Sequence, residues 1–187
     1  KLDAAIIFSD ILMLPYGLGQ EVKFKKNFGP ILGEININNF QKVKDNDFAS
    51  RLSPIYKSLN ITSKNKLIKE KDLIGFVGAP WTLLVYMLNK QSPKKNLSKN
   101  FLNNKTLINQ LIEIIEKFLK LHINNQVKNG ATIIQIFDSW AGLLEEKNLH
   151  EFIYKPTINI VDYVKSLQIP VICFPRGIKN YKKYCDL

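Results

Sequence analysis

Four short runs along the chain are apolar almost without interruption: Ala4–Phe8, Leu73–Val77, Thr132–Phe137 and Pro170–Phe174. A strand with one wet face alternates apolar and polar positions. A continuous run marks a strand covered on both faces, as in parallel sheets. Between the runs, apolar residues recur at helical spacing. The strongest case is Leu107 to Val127, where Leu107, Ile108, Leu111, Ile112, Ile115, Phe118, Leu119 and Ile123 form one stripe. Thr106 or Asn104 can cap its start, and Gly130 can end it. Thr82–Leu88 reads as a helix opened by Pro80. Asn148–Leu167 is a further helical zone, which Pro156 breaks in two or bends.

The stretch from Gln20 to Asn46 has another period. Glu21–Lys25 and Leu32–Ile37 alternate on either side of a turn at Asn27-Phe28-Gly29-Pro30, which predicts a hairpin or arm inserted after the first strand. Lys90–Asn104 is polar, contains Pro93 and reads as an exposed loop. No closing helix is evident at the end of the chain. Strand-then-helix units repeated four times, with short returns such as Lys128-Asn129-Gly130, predict an α/β fold with a parallel sheet. An open doubly wound sheet and part of a (β/α)8 barrel both fit. A complete barrel takes about 250 residues. The chain has 187, begins at Lys1 and runs almost at once into a strand, so the barrel reading makes it a fragment.

Composition narrows the class. An apolar fraction of 45%, with 11 Phe, supports a packed core. No apolar stretch reaches the roughly 18 residues that span a membrane, and no leader pattern opens the chain. Cys173 and Cys185 are too few for a disulfide framework, so a reducing cytoplasm is the expected location. Cys173 reads as a small core residue. His122 falls in the long helix, at the surface or partly buried, and His150 opens a helical zone; neither suggests catalysis. Without metal-ligand spacing among these four residues, no metal is expected. The net charge of +11 would suit a polyanion. Yet only Arg51 and Arg176 among the 27 basic residues are Arg, and the Lys are dispersed and accompanied by much Asn and Ile. Compositional bias explains the charge first, and no nucleic-acid partner is expected.

Both candidate architectures place active sites at the C-terminal ends of the strands. The four runs are followed by Ser9-Asp10, by Gly78-Ala79-Pro80-Trp81-Thr82, by Asp138-Ser139-Trp140-Ala141-Gly142 and by Pro175-Arg176-Gly177. Asp10, a carboxylate between two apolar runs, is either a helix cap or an ionised acceptor in a cleft. Gly78-Ala79-Pro80 serves equally as a plain strand-to-helix turn. Tyr86, on the helix that follows, is either core or cleft. Asp138 and Ser139 can cap a loop or act in a site, and Trp140 reads as packing. The planar fork of Arg176 suits a carboxylate ligand or a structural salt bridge. No Gly-rich phosphate loop, Walker pattern or GxSxG elbow is present.

At these residues the sequence resembles the uroporphyrinogen decarboxylase family. LDAAIIFSDIL (Leu2–Leu12), GFVGAPWTL (Gly75–Leu83) continuing to Tyr86-Met87, and Gln126-Val127 through QIFDSWAG (Gln135–Gly142) resemble its signatures in order. The resemblance implies a (β/α)8 TIM barrel, with residues 1–187 forming one partial domain that covers roughly strands two to five. An Arg-containing loop would precede Lys1, and a His-containing segment with the remaining strands would follow Leu187. It implies a cytoplasmic, homodimeric lyase without metal or organic cofactor. That enzyme decarboxylates the four acetate side chains of uroporphyrinogen III to give coproporphyrinogen III in haem biosynthesis. Carried over residue by residue, Asp10 is catalytic and binds the pyrrole N–H groups. Tyr86 and Ser139 bind substrate, and Ile6 and Phe137 line the cleft. Two rivals stand beside this reading. A corrinoid-dependent methyltransferase on a similar barrel would want a His/Cys zinc site at the strand ends. A non-catalytic polyanion- or RNA-binding domain would show steep salt dependence.

Overall fold

The computed structural model describes residues 3–68, 70–93, 97–98 and 100–186. Strand β1 (Ala4–Ile6) leads into helix α1 (Met13–Leu18), the hairpin β2 (Val22–Lys25) and β3 (Gly29–Leu32), and helices α2 (Ile37–Lys42), α3 (Asp45–Arg51) and α4 (Ser53–Ser63). Then come β4 (Asp72–Gly78), α5 (Pro80–Asn89), α6 (Lys105–Lys128), β5 (Ile133–Asp138), α7 (Glu146–Leu149), α8 (Lys155–Ser166), β6 (Val171–Pro175) and α9 (Tyr181–Cys185). The strands β1, β4, β5 and β6 lie side by side in that order, all parallel. Among the described residues no helix is long and apolar enough to cross a membrane.

The helices cover one face of this sheet. Leu73, Val77, Ile134 and Ile136 point into that layer and are buried. The α6 stripe meets them with Ile108, Leu111, Ile115, Phe118, Leu119 and Ile123, all buried, each such side chain contributing about 1.5–3 kcal/mol. The Asn104 side chain caps α6 by accepting from the Leu107 N–H at 3.0 Å. Gln126 fastens α6 to β4: it accepts from the Phe76 N–H and donates to the Phe76 carbonyl, both at 3.1 Å. Gly75 makes room for it, since a Cβ there would lie 2.5 Å from the Gln126 Oε1.

The opposite face corrects the expectation of strands covered on both sides. Successive β5 residues alternate between half-buried and buried. Ile6, Ile172 and Phe174 are each more than 40% exposed. Register sets these residues in rows, with Ile6 beside Ile74, Ile74 beside Ile133 and Phe137 beside Phe174. The runs look continuous because this second face is apolar too, although among the described residues no second layer covers it. In a barrel it is the face turned inward.

Other differences are local. Strand β1 stops at Ile6, two residues before Phe8. The hairpin turns at Asn27, whose φ of +69° suits Asn, and Pro30 lies inside β3. Leu32–Ile37 does not continue as a strand, because the Asn36 side chain accepts from the Asn39 N–H and starts α2 at Ile37. The loop Lys90–Asn104 begins by pairing Gln91 with Ile31, while residues 94–96 and 99 of it lie outside the described residues. Pro156 does not split its zone. A wider π turn (His150–Tyr154) joins α7 to α8 just before it, where a proline without an N–H is tolerated. A closing helix, α9, does form, capped by Asn180. His122 is buried, its Nδ1 2.9 Å from the Tyr56 hydroxyl.

Candidate active site

The chain leaves β1 through Ile7, Phe8 and Ser9 and turns sharply at Asp10, whose φ is +151°. Side chains on L residues rarely tolerate such a φ, and glycine is the usual occupant. The Asp10 Oδ1 accepts from the Leu12 N–H at 2.7 Å, so the carboxylate braces the turn that leads to α1. The capping role weighed for Asp10 is therefore met in part, one turn ahead of the helix. Asp10 is half-buried. Burial pushes its carboxyl above the ordinary range, and the Leu12 N–H pulls it back.

The end of β4 lies alongside. A Cβ on Gly78 would stand 3.2 Å from the Cβ of Ile11 and 3.0 Å from Leu83. The missing side chain lets the Asp10 turn settle against the mouth of the neighbouring strand. From there the chain is stitched to β5. The Ala79 N–H donates to the Phe137 carbonyl at 2.9 Å. The Trp81 Nε1–H donates to the Trp140 carbonyl at 3.0 Å. The Thr82 hydroxyl donates to the Asp138 Oδ1 at 2.7 Å and accepts from the Trp140 N–H at 3.1 Å.

Asp138 belongs to this tie and not to the cleft. It is fully buried, and desolvation pushes its carboxyl up to about 7 against the Thr82 hydrogen bond. One residue later, Ser139 shares a surface cleft with Trp140, Gly142, Leu143, Arg176 and Gly177. Tyr86 reaches the same rim: its ring meets Trp140 edge-on, with centroids 5.9 Å apart, and its hydroxyl accepts from the Ser92 Oγ at 3.1 Å. Phe137 stands on the open sheet face between Phe76 and Phe174, at 5.6 and 6.0 Å, and Phe8 adds to the row by lying 5.2 Å from Phe76. Ile6 flanks the same face.

Asp10 and Ser139 follow the C-terminal ends of β1 and β5, Tyr86 lies on α5 against Trp140, and Ile6 and Phe137 lie on the open face, with Ile6 level with the first residue of β5. The structure joins Tyr86 to Ser139 through the intervening Trp140. Among the described residues no hydrogen bond or ring contact links Asp10 to Tyr86 or Ser139. Two features escaped the sequence reading. The Phe8, Phe76 and Phe174 row was hidden inside runs taken as core, although each is an alternate residue of its run. Arg176, weighed as a possible salt bridge, makes no ion pair among the described residues and lines the Ser139 cleft instead. Also among the described residues, no three of His, Cys, Asp and Glu cluster in a way that could hold a metal ion.

The family model described as uroporphyrinogen decarboxylase (URO-D) matches residues 1–185. The chain is 43% identical to the uroporphyrinogen decarboxylase of Rickettsia bellii, 45% to that of Orientia tsutsugamushi and 38% to that of Campylobacter jejuni. These alignments cover 98%, 97% and 99% of this chain, and 55%, 54% and 56% of the relatives. The chain therefore spans little more than half the length of the curated relatives it matches. Among solved structures, a methyltransferase from Methanosarcina mazei superimposes with a TM-score of 0.70 at 16% identity, over 92% of this chain and 51% of the other. At that identity the likeness speaks to fold alone: the four-stranded arc and its helices have (β/α)8-barrel architecture.

Proposed function

Because the chain belongs to the uroporphyrinogen decarboxylase family, we propose that it forms the part of such an enzyme that holds the pyrrole rings. The whole protein then converts the four acetate side chains of uroporphyrinogen III to methyls, giving coproporphyrinogen III. One observation carries this reading. Asp10, a half-buried carboxylate at the end of an apolar strand, is fixed by an unusual backbone angle and a hydrogen bond from the Leu12 N–H.

Loss of CO2 from a pyrrole acetate needs somewhere for an electron pair to go. Protonation of a ring carbon makes the pyrrole cationic. The bond between the acetate methylene and its carboxylate then breaks, its electron pair enters the ring, and CO2 leaves. A proton adds to the methylene and another leaves the ring carbon. The net change is one proton taken up and one CO2 released. An ionised carboxylate beside the pyrrole nitrogens accepts their N–H bonds and stabilises the cation. Preorganised groups of this kind contribute about 3–4 kcal/mol each. Burial opposes ionisation of Asp10 in the free site, and a cationic ring reverses that balance.

The rest of the mouth fits a large, partly apolar macrocycle. Ile6 and Phe137 offer apolar surface, while Tyr86 and Ser139 supply hydroxyls at the rim. In this reading an Arg-bearing loop before Lys1 and a His-bearing segment after Leu187 complete the barrel, and the β2–β3 hairpin is an insertion. The 187-residue chain alone is inactive. The reading places the complete enzyme in the cytoplasm as a homodimer, on family resemblance. Metal or organic cofactors have no part in the scheme.

The test is anaerobic turnover of uroporphyrinogen III by a full-length protein that contains this segment, followed by separation of products by carboxylate number. Asp10→Asn, with its fold intact by circular dichroism, lowers turnover about 100- to 1,000-fold. Tyr86→Phe and Ser139→Ala each lose one neutral hydrogen bond and cost up to about tenfold. Near-normal decarboxylation by Asp10→Asn overturns the proposal.

A further inference from the structure

The cleft between the β5 and β6 ends contains one cation, Arg176, and no acidic residue among those that line it: Ser139, Trp140, Gly142, Leu143, Arg176 and Gly177. Arg176 is exposed and makes no ion pair among the described residues, so its guanidinium is available. Its backbone is tightly held. The Arg176 N–H donates to the Asp138 carbonyl, and the Arg176 carbonyl accepts from the Gly142 N–H, both at 3.0 Å. Pro175 before it and Ile178 after it are buried and anchor the loop at both ends. Gly177 has a φ of +80° and packs directly on Gly142, where a Cβ would lie 2.5 Å from the Gly177 carbonyl oxygen. Two glycines therefore clamp the β6 loop onto the β5 loop and fix the root of Arg176 beside Ser139.

We infer that Arg176 is a substrate-positioning residue that captures one carboxylate of the tetrapyrrole at the Ser139 side of the mouth. The inference rests on the proposed decarboxylase reading, because it needs a polycarboxylate substrate. The chemistry is specific. A planar guanidinium takes a carboxylate through two parallel N–H bonds, and a held backbone reduces the ordering cost of binding. Arg176 takes a carboxylate that stays on the substrate and leaves the reacting ring to Asp10. Its loss weakens binding without altering the chemical step.

The test uses the full-length protein with Arg176→Gln, Arg176→Lys and, in parallel, Asp10→Asn. For Arg176→Gln we expect KM for uroporphyrinogen III to rise about tenfold while kcat stays within about threefold, the pattern of lost uniform binding. Arg176→Lys keeps the charge without the fork and falls between Gln and wild type. Inhibition by added coproporphyrinogen, which retains its propionates, weakens in step with KM. An unchanged KM in Arg176→Gln overturns the inference, as does a fall in kcat at constant KM. If Asp10→Asn is inactive and Arg176→Gln is unaffected, only this inference fails. If Asp10→Asn remains active, the role proposed for Asp10 has failed; if the unmodified full-length protein does not turn over uroporphyrinogen III, the decarboxylase reading itself has failed.

Discussion

At the scale of single residues, the strained turn at Asp10 separates function from stability. An aspartate at φ +151° occupies backbone space that glycine fills without penalty. Strain of this sort costs about 1–3 kcal/mol and persists where the surroundings impose it. Asp10→Gly and Asp10→Ala both lose the carboxylate and the Leu12 hydrogen bond, so the backbone alone separates them. Chemical denaturation should find the Gly variant more stable by about 1–3 kcal/mol, with both variants inactive. Equal stabilities would place the aspartate in an unstrained turn. Asp10 was legible in the sequence as a polar break between apolar runs, yet its backbone angle was not, because no local pattern dictates it. Asp138 shows the reverse case. As a strand-end carboxylate it looked equally chemical, but register turns its side chain to the helix face, against Thr82.

At the scale of elements, the joint between α4 and α6 carries a titratable group inside the core. His122 lies on α6 in a pocket that also contains Phe48, and its Nδ1 meets the Tyr56 hydroxyl of α4. Desolvation lowers its imidazole to about 4 from the usual 6.5. A depressed folded-state value means that the neutral form is favoured on folding. The stability it supports is complete above about pH 6.5 and is lost as pH falls towards 4. The raised carboxyls of Asp10 and Asp138 act in the opposite sense, so a difference measurement isolates the histidine. Between pH 7.5 and 4, a full-length protein should lose on the order of 3 kcal/mol relative to its Tyr56→Phe/His122→Leu double variant. Parallel stability curves would mean that His122 charges freely in the fold. The helix containing His122 was plain from its stripe, but the stripe did not reveal a buried polar pair, since the partner lies 66 residues earlier, in no local register. The hairpin was likewise legible from its alternation. The switch to helix at Ile37 was not, because the decisive signal was a single cap, Asn36.

At the scale of the whole molecule, continuous apolar runs alternating with helical stripes were enough to predict a parallel α/β sheet. Which face each apolar residue takes was beyond them. The helix-covered face is saturated by α5, α6 and α8, while Ile6, Phe137, Ile172 and Phe174 line a face that a closed barrel turns inward. The fold sets Asp10 after β1, Tyr86 on α5, Ser139 after β5 and Arg176 after β6, at the strand-end opening proposed above to take substrate, so that no one strand supplies the site. The central claim is that this opening receives a tetrapyrrole with its nitrogens on Asp10. The most direct measurement is a crystal structure of a full-length protein containing this segment, soaked anaerobically with coproporphyrinogen III. The account predicts pyrrole N–H groups within hydrogen-bond distance of the Asp10 carboxylate and the ring against the Phe137 face. A tetrapyrrole bound away from Asp10, or at the opposite end of the strands, would contradict it.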